Sequence, residues 1–200
     1  MKYEYIFEPS QMEITITELA GNTLAKPYYR KLAEKLGAAV DDKVLDYCSG
    51  SGIIAKEILK RLGQGQLVYA DVSEKWLLHA AKKLKHNKNA MREKIRDFQG
   101  KISGGEYDKI LVHFSLHDFP KEYRLLIINQ LVANLKLTGR LYIREPLSIT
   151  HGFQLHELIN LLEYTKKLSY EYKIAKNRFV GECVEIDASL KPNKKEIEFN

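Results

Sequence analysis

From Lys43 onward the apolar residues alternate between two spacings. Val44-Leu45-Asp46-Tyr47 is a short, nearly continuous apolar run, as expected of a strand buried on both faces. Residues Ile53 to Leu62 then place apolar side chains at helical spacing, and Gly63 and Gly65 stop that helix. Leu67-Val68-Tyr69-Ala70-Asp71 repeats the strand pattern. Ser73 caps the next helix, whose Trp76, Leu77, Ala80, Ala81 and Leu84 recur at helical spacing. A weaker strand is expected over Ile95 to Gln99. A clear one covers Ile110-Leu111-Val112-His113-Phe114, introduced by the turn residues Gly104-Gly105. Pro120 opens a helix carrying Leu125, Ile128, Leu131 and Leu135, which Gly139 ends; Leu141-Tyr142-Ile143 is a further strand. A helix from about Phe153 to Leu168 precedes two strand-like segments, Tyr170 to Ile174 and Glu182 to Ile186. Ahead of all these, Thr17 to Leu36 holds helix-forming stretches around Pro27.

Strands separated by helices imply right-handed crossovers, hence a mostly parallel sheet with helices on both faces. The two closing strands have no helix between them and form a hairpin, which makes one of them antiparallel. The expected fold is therefore α/β, a three-layer, Rossmann-like sheet of seven strands with one antiparallel strand near the C-terminus. No repeat, low-complexity tract or Pro/Ser-rich linker divides residues 1–200, so they are read as one domain. Residues 1–40 form its helical N-terminal segment and 41–190 its α/β core.

Composition narrows the class. Of the 200 residues 44% are apolar and 29% charged, which excludes collagenous and wholly disordered chains. No apolar run approaches the roughly 18–20 residues a bilayer span needs. Met1-Lys2-Tyr3-Glu4-Tyr5 lacks a signal-peptide core, and two cysteines, Cys48 and Cys183, make no disulfide framework. A cytoplasmic protein is expected. Between Lys82 and Lys101 eight bases face two acids, an excess of six that equals the net charge of the whole chain. Such a stretch can attract nucleic acid, but without interleaved aromatics it reads as a solvated helix end and loop. Lys191 to Lys195 reads as a frayed terminus.

In an open parallel sheet the ligand crevice lies at the carboxyl ends of the strands, where strand order reverses. The first strand–turn–helix there reads Asp46-Tyr47-Cys48-Ser49-Gly50-Ser51-Gly52-Ile53-Ile54-Ala55. Gly50 and Gly52 allow a tight turn and a ligand close to the backbone. Gly50 to Ala55 also fits G-x-G-x-x-A, with Asp71 about twenty residues on, so a dinucleotide has to be weighed. Asp46 at the strand end argues against it: a carboxylate there crowds a pyrophosphate and suits a ligand bearing an ammonium group. Some forty residues precede the turn, and no second catalytic domain follows the sheet. A nucleoside carrying a cation fits better.

Val44-Leu45-Asp46-Tyr47-Cys48-Ser49-Gly50-Ser51-Gly52 resembles motif I of class I S-adenosylmethionine-dependent methyltransferases. Cysteine at the first glycine position is similar to the ubiquinone/menaquinone C-methyltransferase-like subgroup. The resemblance continues through Tyr69-Ala70-Asp71-Val72-Ser73, Tyr107-Asp108-Lys109-Ile110 and Leu137-Thr138-Gly139-Arg140-Leu141-Tyr142-Ile143. It implies S-adenosylmethionine as cofactor, held by Asp46, Tyr47, Cys48, Gly50 and Gly52 at its methionine end. Asp71 would bind the ribose hydroxyls and Val72 would pack on the adenine. Family members often place an acid after the third strand; Phe98-Gln99-Gly100-Lys101 stands there, with Phe98 as an adenine neighbour and either Asp97 or no acid at the amine.

Methyl transfer is a displacement on a sulfonium carbon, so the protein contributes mainly alignment. His113 and His117 follow the fourth strand, His113 as a cofactor contact and His117 as catalytic base or substrate-orienting group. Their spacing lacks a third ligand, so no metal is expected. Cys48 is a small residue fitted to the turn, not a nucleophile. Tyr28 and Tyr29, in the N-terminal segment that folds over the cofactor in similar enzymes, are candidates for binding substrate. The expected activity is methyl transfer to a small-molecule acceptor. RNA or protein methylation, and a non-catalytic S-adenosylmethionine-binding module, are the alternatives.

Overall fold

A computed structural model describes residues 8–98, 101–103, 105–148, 150, 152–177 and 181–192. Two helices come first, α1 (Gln11–Asn22) and α2 (Lys26–Leu36). Ser10 and Glu13 form a reciprocal capping box at the start of α1, and Pro27 lies in the first turn of α2, where its missing N–H costs nothing. Then follow β1 (Lys43–Tyr47), α3 (Ile53–Leu59), β2 (Gln66–Asp71), α4 (Glu74–Leu84), β3 (Ala90–Lys94) and β4 (Tyr107–His113). The chain continues with α5 (Lys121–Ala133), β5 (Leu135–Pro146), α6 (Leu155–Tyr164), β6 (Leu168–Asn177) and β7 (Gly181–Leu190).

The strands form one sheet in the order β3-β2-β1-β4-β5-β7-β6, with β7 antiparallel to both its neighbours and the other six parallel to one another. This is the Rossmann-like architecture expected. Side chains alternate across it with period two. Leu45, Tyr47, Val68, Ala70, Ile110 and Val112 pack with Ile127, Ile128 and Leu131 of α5 and Leu158 and Leu162 of α6. Val44, Leu67, Tyr69 and Leu111 pack with Leu32, Ile54, Ile58, Leu77, Ala80 and Leu84 of α2, α3 and α4. The same alternation puts Asp46, Asp71 and His113 on the α2–α4 face, one at the end of each of three adjacent strands.

Several boundaries differ from expectation. The third strand is Ala90–Lys94, not Ile95 to Gln99. It is an edge strand of mostly exposed or half-buried residues and carries no apolar alternation, while Ile95 and Phe98 enter the core just beyond it. Helix α5 ends at Ala133, capped by Asn134, and β5 begins at Leu135. Gly139 therefore lies inside a strand, at a shift of register against β4; a Cβ there would come within 2.8 Å of the Tyr107 carbonyl oxygen. Helix α6 stops at Tyr164, and Leu168 already belongs to β6. Gln99, Gly100 and Gly104, Met1 to Tyr5, and Asn193 to Lys195 lie outside the described residues.

Candidate active site

Between β1 and α3 the backbone enters the left-handed region three times, at Cys48 (φ 58°), Gly50 (φ 52°) and Gly52 (φ 70°). These turns fold the loop back over the sheet: the Ser49 N–H donates to the Ala70 carbonyl at 2.9 Å and the Gly52 N–H to the Ser49 carbonyl at 3.0 Å. Asp71 ties the loop to β2. One of its oxygens accepts the Gly50 N–H and the other the Ser73 N–H, each at 2.8 Å. The two glycines do different things. A Cβ on Gly50 would meet nothing within 4 Å, because the space above it is open cleft; a Cβ on Gly52 would lie 2.8 Å from the Ala80 Cβ, where α3 and α4 pack.

The open space is a cleft of about 330 Å³ over the ends of β1, β2 and β4. Asp46, Cys48, Ser49, Gly50 and Ser51 form its floor, Asp71, Val72 and Trp76 one end, and His113 to Ser115 with Asp118 to Pro120 the other; Thr17, Tyr29, Ile53 and Ile54 close over it. Asp46 is fully buried and its Oδ2 has no hydrogen-bond partner; the Oγ atoms of Ser49 and Ser115 lack partners too. Buried polar atoms without partners are rare in folded proteins, and three of them converge on this cleft. Burial, then the charge of Asp71, lifts the Asp46 carboxyl to about 7. Burial likewise lifts Asp71 to about 6, against the pull of the Ser73 and Gly50 amides. A cationic ligand group beside Asp46 would reverse the first of these penalties.

At the β4 end, His113 Nε2 shares a 2.6 Å hydrogen bond with the Tyr28 hydroxyl, and its ring stacks on Phe114 at 4.1 Å. Burial, then the nearby Arg144 guanidinium, pushes His113 down to about 3, so it is a neutral group at physiological pH. Arg144 lies over the Tyr28 ring at 4.7 Å and pairs with Glu185 at 2.9 Å. Phe114 holds φ at 52°, a strained value for an aromatic residue, and directs the chain into the lip of the cleft.

That lip, residues 115–120, is clasped from below by the fully buried Glu145. One carboxylate oxygen accepts the Ser115 and Leu116 N–H groups at 3.0 and 2.9 Å, and the other bonds His117 Nδ1 at 2.6 Å. Arg124 donates to the His117 and Phe119 carbonyls at 2.7 and 2.8 Å. Burial alone would lower His117; the Glu145 hydrogen bond and charge outweigh it and hold the imidazole above its ordinary pKa.

Of the residues singled out from sequence, the cleft brings together Tyr29, Asp46, Cys48, Gly50, Asp71, Val72 and His113. Tyr28 stands one layer behind, against His113. Tyr47 faces the opposite side of the sheet, in the α5/α6 core, as its position next to Asp46 in a strand requires. Phe98 packs edge-on against Phe119, also in that core. Gly52 serves helix packing, and His117 turns under the lip to Glu145. Sequence reasoning missed Trp76, Thr17 and Phe119 as cleft residues; it places Arg144-Glu145-Pro146 at the end of the fifth strand near the pocket, but not the clasp of Glu145 on the lip. Among the described residues no group of His, Cys, Asp and Glu is arranged to hold a metal.

Residues 44–139 match the family model of a methyltransferase domain. No curated protein sequence matches the chain. Solved structures do. The TehB-like S-adenosylmethionine-dependent methyltransferase of Corynebacterium glutamicum superimposes with a TM-score of 0.70 at 15% identity, over 91% of this chain and 100% of that one. The N-methyltransferase NodS of Bradyrhizobium japonicum, with S-adenosyl-L-homocysteine bound, gives 0.69 at 16%, over 83% and 87%. A Nostoc punctiforme protein provisionally designated an O-methyltransferase gives 0.69 at 14%; the match covers 88% of this chain but 59% of that longer one. At these identities the likeness is one of fold.

Proposed function

We propose that this protein, which carries a methyltransferase domain over residues 44–139 on the fold of class I S-adenosylmethionine-dependent methyltransferases, transfers the methyl group of S-adenosylmethionine to a small-molecule acceptor. The observation that carries the reading is the floor of the cleft, where a buried carboxylate oxygen without a partner faces an open glycine turn. When bound, the cofactor supplies a methyl group activated on a sulfonium centre.

The chain's own residues would do the rest. Asp46 offers its carboxylate to the ammonium group, and the backbone at Cys48 to Gly50 lets the ligand lie close. Asp71 presents its remaining acceptor positions to the ribose hydroxyls, and Val72 and Trp76 line the adenine end. Phe114, Ser115, Asp118, Phe119 and Pro120 form the acceptor wall, with Tyr29 above. Neutral His113, fixed by Tyr28, offers a polar edge without adding charge beside a sulfonium. His117, engaged with Glu145, acts as a positioning residue for the lip, not as a general base.

The cleft walls hold no Lys or Arg among the described residues. Several bases of the Lys82–Lys101 stretch are already engaged, Lys83 with Glu18 and the Ser51 carbonyl, Arg92 with Glu74 and Lys94 with the Val72 carbonyl. Both facts favour a small acceptor over a polyanionic RNA. Cys48 ahead of Ser49-Gly50 supports a likeness to the ubiquinone/menaquinone C-methyltransferase subgroup, and two free thiols suit a reducing, cytoplasmic setting. Calorimetric titration with S-adenosylmethionine, S-adenosylhomocysteine and NAD tests the reading. Saturable binding of the first two and none of the third is expected; the reverse pattern overturns it.

A further inference from the structure

Strand β6 ends the sheet: β7 is its one strand neighbour among the described residues. It is ten residues long, and from Glu171 to Ile174 it is exposed on both faces, with Tyr172 and Ile174 at 51% and 52%. Long exposed edges invite pairing with another strand, and proteins normally shorten, bend, cover or charge them; the charges of β6 are of both signs, Glu171 against Lys173 and Lys176. Here neither helical layer covers the middle of the strand.

Its sequence, Leu168-Ser169-Tyr170-Glu171-Tyr172-Lys173-Ile174-Ala175-Lys176, is complementary to itself. We infer that two copies of this chain pair antiparallel through β6, about a two-fold axis at Tyr172, to make one continuous fourteen-stranded sheet. In that register residues equally far from Tyr172 on either side face each other. Glu171 meets Lys173 of the second copy, twice by symmetry, on the face that also carries Asp187 and Glu185. On the other face Tyr172 meets its own counterpart and Tyr170 meets Ile174, so that the exposed apolar side chains form one cluster. Ser169 meets Ala175, and Leu168 meets Lys176. No like charges oppose. Registers centred on Glu171 or Lys173 instead set two carboxylates or two ammonium groups face to face, so the charge pattern selects one register of the three.

The cations around Glu185 make Lys173 available for this role. Lys35 and Arg144 both bond that carboxylate at 2.9 Å, whereas Lys173 approaches to 3.4 Å and is largely exposed. Glu171 makes no ion pair among the described residues.

The test is charge reversal with rescue, read by sedimentation equilibrium of the full chain. Wild type is expected to be a dimer at micromolar concentration. Glu171→Lys and Lys173→Glu, each with its thermal melt checked to be cooperative, should each weaken dimerisation at least tenfold. The double variant Glu171→Lys/Lys173→Glu should restore it, and an equimolar mixture of the two single variants should form a heterodimer. A wild type that stays monomeric to 100 μM or so, or single variants that dimerise as tightly as wild type, overturns the inference. So does a dimer that neither the double variant nor the mixture restores.

Discussion

Asp46 is buried and its Oδ2 has no hydrogen-bond partner, and the acid–base behaviour of the cleft follows from that. Its carboxyl, lifted to about 7 by burial and by Asp71, holds a proton in the ligand-free protein that the unfolded chain releases near 3.8. The stabilisation from this group is therefore complete below the unfolded value and is lost as pH rises through about 7. A ligand ammonium needs the ionised form. Binding of S-adenosylhomocysteine should release a proton below pH 7 and tighten about tenfold between pH 6 and pH 8. Calorimetry in two buffers of different ionisation enthalpy measures both effects, and Asp46→Asn should bind more weakly with a flat pH profile. Asp71 does a second job, as acceptor for the Gly50 and Ser73 amides. Asp71→Ala is expected to weaken S-adenosylhomocysteine at least tenfold and to cost about 1–3 kcal/mol, a fall of roughly 3–10 °C in Tm. An unchanged dissociation constant would count against the ribose assignment.

At the scale of the element, two glycines one residue apart separate binding from folding. Gly52→Ala forces a Cβ against Ala80 at a left-handed φ and should cost about 2–4 kcal/mol, part of it recovered by Ala80→Gly. Gly50→Ala meets no protein atom and should cost only about 1–2 kcal/mol, yet weaken S-adenosylhomocysteine at least tenfold because the new methyl enters the cleft. Thermal melts and titrations on the two variants separate the roles. The lip is an element of this kind too. Glu145→Gln should lower the His117 pKa, followed by imidazole NMR, and raise KM for the acceptor more than it changes the affinity for S-adenosylhomocysteine.

The sheet's central strands were legible because burial on both faces writes an apolar run, and the glycine turn because its residues follow the Asp46 carboxylate directly. Edge strand β3 was not, since an exposed strand carries no apolar pattern. Nor was the start of β5 at Leu135, where an apolar residue in register with α5 conceals the change of element. Counting by twos along β1 already assigns the side chains of Asp46 and Tyr47 to opposite faces, so the Tyr47 ring belongs to the α5/α6 core. Glu145 acts through a loop thirty residues away in sequence, and no local pattern reports such a contact.

Across the whole molecule, α1 is strapped over the cleft from both ends. Glu8 accepts the Ser73 hydroxyl and the Glu74 amide at 2.8 and 2.9 Å, at the start of α4, and Glu18 bonds Lys83 and approaches His79 at 3.1 Å. Thr17 between them forms part of the cleft wall. A nucleoside that leaves past Thr17 has to displace α1. Glu18→Ala should speed dissociation of S-adenosylhomocysteine several-fold in stopped-flow displacement, and it should also lower Tm because the mostly buried Lys83 ammonium loses its carboxylate. The most direct measurement is a crystal structure of the protein with S-adenosylhomocysteine. The ligand's ammonium should lie within hydrogen-bond distance of Asp46 Oδ2, its ribose hydroxyls at Asp71, and its chain across Gly50. An empty crevice in crystals soaked to saturation, or the ligand bound elsewhere, would contradict the account.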